Sequence, residues 1–235
     1  MQFDISPIVL SLKVAVAALI VVVIGAVPVS GLMAKRLFWG KEFIEALITL
    51  PLVLPPSVVG FTLLFLFGRN GPLGKSIEHY FHTQIVFSLS GAVIAAAVVS
   101  FPLMYQSLKA ALESVDMNLE QAARTLGAGE LKIFFTITLP LAWNGFTAGT
   151  VLAFARSLGE FGATLMVAGN IPGKTQTMPL AIYFASESGD NQTAGILVTI
   201  MTVFSFFLIF GLNRWAKMRN KALSGGKTND QGEVR

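Results

Sequence analysis

Long apolar runs separated by short polar loops cover most of this 235-residue chain. A helix needs about 20 apolar residues to cross the roughly 30 Å hydrocarbon core of a bilayer. Runs of that kind lie at about 8–33, 43–67, 85–105, 141–167 and 193–212. The pattern predicts an all-α integral membrane protein whose five transmembrane helices form one domain over residues 1–212.

The C-terminal residues 213–235 interrupt this pattern. They are basic, and their last part, SGGKTNDQGEVR, has too few apolar side chains to form a core. Such a segment cannot bury enough apolar surface to offset the entropy lost on ordering. We therefore expect 213–235 to be a disordered tail.

The composition also indicates a membrane protein. Hydrophobic residues make up 54% of the chain and charged residues only 13%, whereas soluble domains carry about 25% charged residues. Cysteine is absent, so disulfides and thiolate sites are excluded. His79 and His82 have no third candidate ligand nearby, and no metal site is expected. No basic patch alternates with aromatic residues, so we expect no nucleic-acid partner.

The distribution of lysine and arginine predicts the orientation of the spans, because cytoplasmic loops carry an excess of both residues. With the N-terminus outside, only Arg69, Lys75 and Lys174 fall in outer loops. Lys13 and Arg156 fall within spans, and the rest of the seventeen lie inside. We therefore expect an N-terminus outside the membrane and a cytoplasmic C-terminus.

Three prolines, Pro51, Pro55 and Pro56, interrupt the second predicted span. Each removes a backbone donor, and such breaks occur at membrane depth only where neighbours or a cavity satisfy the freed carbonyls. The segment is either a bent helix beside a transport pathway or a tight turn packed in the bundle. The next loop, GRNGPLGKS, has Arg69 where a phosphate-binding loop needs glycine, so we do not expect this chain to bind ATP.

Arg156 and Glu160 lie four residues apart in the fourth predicted span. That spacing places both on one helix face, where they can pair. Charges at membrane depth usually face the bundle interior or a water-filled cavity. The pair is either a structural ion pair or part of the transport pathway, and in both cases we expect it in the interior. Gly159 and Gly162 beside it permit close packing or a local break.

The segment at 116–140, DMNLEQAARTLGAGELKIFFTITLP, is too polar to span a bilayer and faces the cytosol in this orientation. Asn118 is predicted to cap a helix there, with Gln121 as its capping-box partner. Gly127 is predicted to end that helix. The chain then returns to the membrane by Pro140.

One face of this predicted helix carries a narrow apolar stripe, at spacing i, i+3, i+4 and i+7, formed by Leu119, Ala122, Ala123 and Leu126. Charged residues flank the stripe. A short helix with a shallow apolar stripe fits a groove on another protein. The alternative is a helix that lies flat on the membrane, but such helices usually carry large apolar anchors opposite a lysine-rich face.

The same segment resembles the Glu-Ala-Ala loop of ABC-importer permeases, which reads E-A-A, three residues, G, nine residues, I, one residue, L-P. With Gln121 taken as an extra residue or a variant member of the triplet, the fit includes Glu120, Ala122, Ala123, Gly127, Ile137, Leu139 and Pro140. In that family the loop forms a coupling helix seated in a cleft of the ATPase subunit. The resemblance implies a type I ABC-importer permease fold with a coupling site at Leu119, Glu120, Ala122, Ala123, Arg124, Leu126, Gly127, Ala128 and Gly129.

The double-proline second span and the stretch SLGEFGAT resemble the molybdate permeases of the ModB type, whereas AGNIPGKTQTMPL fits these or the related sulfate/thiosulfate permeases. The resemblance implies a homodimer around a pathway, two cytoplasmic ABC ATPase subunits and an extracytoplasmic molybdate-binding protein. ATP and Mg would bind to the ATPase subunits, so this chain is expected to hold no cofactor and no catalytic residue. The implied location is the cytoplasmic (inner) membrane of a prokaryote.

The function implied is ATP-driven import of molybdate, and tungstate or sulfate and thiosulfate are the alternatives within the family. A self-contained channel or secondary transporter is the alternative from another class. It would need buried acidic relays in several spans, for which only Glu160 qualifies. It would also leave the helix in 116–140 without a role.

Overall fold

The computed structural model describes residues 4–35 and 38–224, and every regular element within them is helical. The first half contains α1 (Ser6–Lys35), α2 (Lys41–Val53), α3 (Pro56–Phe67), α4 (Pro72–Phe81) and α5 (Leu89–Glu113). The loop that follows contains α6 (Met117–Thr125), α7 (Glu130–Ile133), a π-helix (Phe134–Thr138) and α8 (Leu139–Leu141). The last part contains α9 (Trp143–Leu158), α10 (Gly162–Ala168), α11 (Met178–Glu187) and α12 (Asn191–Ser224).

Three unbroken helical stretches are long and apolar enough to cross a membrane: α1, α5 and Asn191–Gly211 of α12. Two further pairs qualify only as bent spans. The pair α2 and α3 changes direction by 116°, and Glu130–Leu141 changes direction by 75° relative to α9. The described residues therefore hold three candidate spans, or up to five if each bent pair is counted as one.

The predicted span at 43–67 is broken at its prolines, as the sequence indicated. α2 ends at Val53, and Pro55 and Pro56 stand at the N-cap and first position of α3. Proline lacks an N–H and has its φ fixed near −65°, so it fits the first turn of a helix far better than the interior. The chain can therefore turn sharply here without losing helical hydrogen bonds.

The predicted span at 141–167 is interrupted at Gly159 and Gly162, the two glycines that were expected to permit close packing or a local break. α9 ends at Leu158, and α10 begins only at Gly162. A Cβ added at Gly162 would lie 2.8 Å from the Cβ of Pro56. The glycine therefore allows the start of α10 to touch the start of α3.

The core lies where α5 packs between α1 and α9. Alanines line much of these contacts, and they include Ala18, Ala26, Ala92, Ala96 and Ala153, all fully buried. Small residues let helix backbones approach closely, and membrane helices pack largely through such contacts. A second cluster joins α10 to α3 and α5. This bundle holds both ends of the loop that contains α6.

The last helix lies largely outside the bundle. Only 11% of the most apolar part of α12 is buried in the chain, compared with 56% for α5. Its exposed side chains include Phe206, Phe207 and Phe210. An apolar surface of this extent is suited to contact with lipid or with a partner chain.

The predicted disordered tail at 213–235 is wrong for its first part, because α12 continues to Ser224. Residues 213–224 are therefore part of a helix, although their sequence is largely polar. The prediction for 225–235 falls outside the described residues.

Candidate functional site

The polar loop between α5 and α9 begins with α6, whose first turn is capped by Asp116. The Oδ1 of Asp116 accepts a hydrogen bond of 2.9 Å from the backbone N–H of Asn118. The prediction that Asn118 is the cap is therefore wrong by two residues. Asp and Asn cap helices about equally well, so residue type alone does not distinguish them.

The C-terminus of α6 confirms the predicted stop at Gly127. Its φ is +82°, a conformation that glycine adopts without the penalty of a Cβ. The N–H of Gly127 donates to the carbonyl of Arg124, and the N–H of Ala128 donates to that of Ala123, at 2.9 and 3.0 Å. These two bonds form a Schellman motif, which fixes the direction in which the chain leaves the helix.

The predicted apolar stripe faces away from the rest of the chain. Leu119 and Ala122 are exposed, and Leu126 is 88% exposed. Ala123 is half-buried. Large exposed leucines on a mainly polar helix are typical of a surface that a partner covers.

Glu120 lies on the other side of α6 and is 3% exposed. Its Oε1 accepts hydrogen bonds from Lys35 Nζ at 2.5 Å and from Thr138 Oγ1 at 2.6 Å. Lys35 is the last residue of α1, and Thr138 is the last residue of the π-helix. Glu120 therefore contacts its own chain, although it was predicted as part of a coupling surface.

The pKa of Glu120 reflects two opposing effects. Burial raises the pKa of this carboxyl, but the hydrogen bonds from Lys35 and Thr138, with the charges of Lys35 and Arg124, outweigh burial and hold it below its usual value. The Nη2 of Arg124 lies 3.8 Å from the Oε2 of Glu120. The carboxylate is therefore ionised and compensated at neutral pH.

Arg124 also joins α6 to α7. Its Nε and Nη2 donate to the two carboxylate oxygens of Glu130, at 2.5 and 2.9 Å. A two-point contact of this kind fixes orientation as well as distance. The remaining predicted residues lie in the turn between the helices, where Ala128 is half-buried and Gly129 is exposed at the N-terminus of α7.

The π-helix is packed on α1 by a second contact. Phe134 lies over Gly31, where an added Cβ would stand 2.9 Å from the aromatic ring. π-helical turns are rare and often lie at functional sites. Here the turn lies shortly before the 75° change of direction into α9.

The predicted pairing of Arg156 with Glu160 is confirmed. The Nη1 of Arg156 lies 2.7 Å from the Oε2 of Glu160, whose side chain is 1% exposed. The Oε1 of Glu160 accepts a hydrogen bond of 2.8 Å from the N–H of Ala163 in α10. The pair therefore stabilises the break between α9 and α10, while the Arg156 side chain stays 31% exposed.

Three residues of the loop's contacts were missed by sequence reasoning: Lys35, Glu130 and Thr138. Lys35 is remote in sequence from α6, and no local periodicity connects the two. Glu130 stands six residues after Arg124, a spacing that no helix pairing rule covers. Thr138 lies inside the motif stretch, but between its defined positions.

Residues 26–221 match the family described as "Binding-protein-dependent transport system inner membrane component". The molybdenum transport system permease protein ModB of Haemophilus influenzae is 45% identical over 229 residues, which cover 97% of this chain and 100% of the relative. This match extends over the whole loop between α5 and α9.

Solved structures share the fold at low identity. The MetNI methionine ABC transporter, solved in inward-facing conformations, aligns with a TM-score of 0.72 and 14% identity over 93% of this chain and 96% of that chain. A bacterial alginate ABC transporter, solved with an alginate pentasaccharide-bound periplasmic protein, aligns with a TM-score of 0.73 and 13% identity over 94% and 81%. The chain therefore belongs to the family of binding-protein-dependent transport system inner membrane components and has the fold of an ABC-importer permease.

Proposed function

We propose that this chain is the permease subunit of an ATP-driven importer of molybdate. The observation that carries the coupling role is the exposed stripe of α6, because α6 is fixed to the bundle by Glu120 while Leu126 is 88% exposed. The relative from H. influenzae, called a molybdenum transport permease, supports the cargo. Tungstate and sulfate are oxyanions of the same charge and remain the alternatives.

The proposed assembly has two copies of this chain around a central pathway. Two cytoplasmic ATPase subunits, which bind ATP and Mg, would receive the stripe of α6 in a groove. This chain would hydrolyse no ATP itself. The exposed apolar faces of α2 and α12 supply surface for a second copy and for lipid. An extracytoplasmic binding protein would deliver the anion, as the alginate transporter structure with its periplasmic protein suggests.

The proposed orientation follows from the positive-inside rule and from the site. In the proposed topology, the side of the membrane that holds α6 also holds Lys35, Lys109 and Arg124. The opposite side holds Arg69 and Lys75, so the excess of basic residues lies on the side of α6. With α6 in the cytosol, the N-terminus is outside and the C-terminus is inside. The proposed location is therefore the cytoplasmic membrane, with this chain as a multi-pass protein.

A doubly charged anion would be repelled by a bare carboxylate in its pathway. Glu160 is neutralised by Arg156, and the Arg156 side chain is 31% exposed, so it could also present its charge to the anion. We include the pair in the proposed pathway on this basis. Selectivity would then reside mainly in the binding protein, because a pathway that held the anion tightly could not release it.

The test of the coupling role is assembly with the cognate ATPase subunit. Leu126→Glu places a charge in the proposed contact, and we expect at least a tenfold loss of co-purified ATPase, as for an interface hot spot. The matched control is Leu73→Glu, the same change at an exposed leucine of α4. Equal recovery of the ATPase with both variants would refute the docking role.

The test of the cargo is competition for uptake. Proteoliposomes that contain the assembled transporter and its binding protein would take up labelled molybdate in the presence of excess tungstate or sulfate. Inhibition by tungstate and not by sulfate supports a molybdate system. Inhibition by sulfate alone would assign the chain to the sulfate branch of the family.

A further inference from the structure

On the buried side of α6, one side-chain oxygen connects three elements: α6, α1 and the π-helix. The Oε1 of Glu120 accepts hydrogen bonds both from Lys35 at the end of α1 and from Thr138 at the end of the π-helix. Lys35 is 85 positions and Thr138 is 18 positions from Glu120 in the chain. A single carboxylate oxygen therefore links the loop helix to two elements that are distant from it in sequence.

Burial of this charge is not explained by stability alone. Replacing a buried ion pair by apolar residues of similar volume is often neutral or stabilising. A fully satisfied buried polar network instead specifies one arrangement of the groups that it joins. The network at Glu120 therefore indicates a need for fixed geometry between α6, α1 and the π-helix.

We propose that Glu120 is a positioning residue that transmits the displacement of α6 to α1 and to the π-helix, and that it does not contact the ATPase subunit. The proposal rests on the proposed function, in which the ATPase moves α6 through its exposed stripe. Leu126 on that stripe is 88% exposed, whereas Glu120 is 3% exposed. The exposed side of α6 would contact the ATPase subunit, and the buried side would transmit the movement to α1 and the π-helix.

The surrounding contacts make such transmission direct. The Schellman motif closes the end of α6, and Arg124 fixes α7 to it through Glu130. Phe134 then holds the π-helix against Gly31 of α1. Displacement of α6 without displacement of α1 and the π-helix would require the bonds of Glu120 to break. The segment from Glu130 to Leu141 would carry the movement to its 75° bend with α9.

The experiment compares variants in the whole transporter, reconstituted with its ATPase and binding protein. Glu120→Gln and Lys35→Met each remove one charge of the pair, whereas Lys35→Arg keeps it. Thr138→Val removes one hydroxyl and is the mildest change. The measurements are recovery of the ATPase subunit, ATP hydrolysis, and molybdate transported per ATP hydrolysed.

We expect Glu120→Gln and Lys35→Met to retain the ATPase subunit but to lower the molybdate transported per ATP by about tenfold, within the usual range of coupling between sites. Lys35→Arg keeps the positive charge and should keep most of the native ratio of molybdate transported to ATP hydrolysed. Thr138→Val should lower this ratio less than Glu120→Gln does. A residue that only stabilised the fold would reduce the yield of the complex and leave this ratio unchanged.

Two results would overturn the positioning role. One is loss of the ATPase subunit from Glu120→Gln to the extent seen for Leu126→Glu, which would make Glu120 a partner contact. The other is an unchanged ratio of transport to hydrolysis. Normal assembly and uptake by Leu126→Glu would instead refute the docking of the stripe, and it would say nothing against the bonds of Glu120.

A structural readout is available because the chain contains no cysteine. Spin labels at Leu32→Cys and Thr125→Cys, both exposed positions on α1 and α6, report the distance between the two helices. With Glu120 intact, this distance should stay constant with and without ATP. In Glu120→Gln it should broaden or shift on ATP addition, and a distance that behaves identically in both chains contradicts the proposal.

Discussion

Ser107 of α5 donates a hydrogen bond of 3.0 Å from its Oγ to the backbone carbonyl of Gly145 in α9. The two helices are so close at this point that a Cβ added at Gly145 would lie 2.2 Å from the Cβ of Ala111. Such proximity allows a side-chain hydroxyl to reach a main-chain acceptor across the interface. The contact joins the helix before the loop that contains α6 to the helix after that loop.

Gly145→Ala should therefore destabilise the bundle. Overpacking of a closely packed contact costs about 1–3 kcal/mol, and the backbone of α5 leaves little room to relax. The measurement is the free energy of unfolding in detergent. Gly195→Ala in α12 is the matched control, since nothing lies within 4 Å of the added group, and it should be neutral or slightly stabilising. Equal effects of both changes would contradict the packing argument.

Gly127→Ala should loosen the end of α6. A non-glycine residue in the left-handed conformation costs roughly 1–2 kcal/mol, which corresponds to about tenfold in an opening equilibrium. Amide hydrogen exchange at Ala128 should rise by that factor, because its bond to Ala123 closes the Schellman motif. Gly129→Ala is the control, since Gly129 has a φ of −73° and no atom within 4 Å of an added Cβ. Unchanged exchange in Gly127→Ala would show that the turn tolerates a side chain.

The ion pair of Glu120 should impose a pH dependence on stability. Its pKa is lowered in the folded state, so its contribution is fully present above the unfolded pKa near 4.5. It is lost as the pH falls through the lower folded pKa. The difference in thermal midpoint between the native chain and Glu120→Gln should be constant from neutral pH down to about pH 5 and then narrow. A difference that shrank already near pH 7 would show that another group is responsible.

Arg156→Gln should destabilise the chain strongly, because it leaves Glu160 buried without its cation. Loss of one partner of a buried pair costs about 3–5 kcal/mol. The double variant Arg156→Gln with Glu160→Gln should recover most of that stability, since the amide oxygen introduced by the second change can still accept a hydrogen bond from the N–H of Ala163. Thermal unfolding measures the stability of the single and double variants. Uptake by the double variant distinguishes a structural role of the pair from a role in the transport pathway. Restored uptake would mean a purely structural pair, whereas uptake that stays low in a stable chain supports a pathway role.

Local features of the loop that contains α6 were predictable from sequence. The end of α6 at Gly127 follows from backbone preference at one position, and the exposed stripe follows from spacing within two turns. The pairing of Arg156 with Glu160 likewise follows from helical periodicity. In each case the partners are near neighbours in the chain, so no knowledge of the tertiary fold is needed.

The predictions failed where direction or distant packing decides the outcome. Hydropathy measures how apolar a segment is and not where it points, so it delimited 43–67 and 141–167 as single spans, and only their prolines and glycines indicated that the chain could break inside them. The burial of Glu120 depends on where α1 ends relative to the loop. Its partner Lys35 was read only as a charge that sets orientation. The continuation of α12 to Ser224 shows that a helix can extend past the residues that need burial.

The π-helix at Phe134–Thr138 allows the segment before α9 to change its helical register by one residue. A π turn accommodates one residue more than an α turn. If this turn tightened to α geometry, the surplus residue would pass along the helix, and everything beyond it would rotate by about 100° and shift by about 1.5 Å along the axis. The segment that leads into α9 could therefore rotate and shift by one residue in a single step. Thr138 lies at the end of the π-helix, so its hydrogen bond to Glu120 would have to break or re-form when that step occurs.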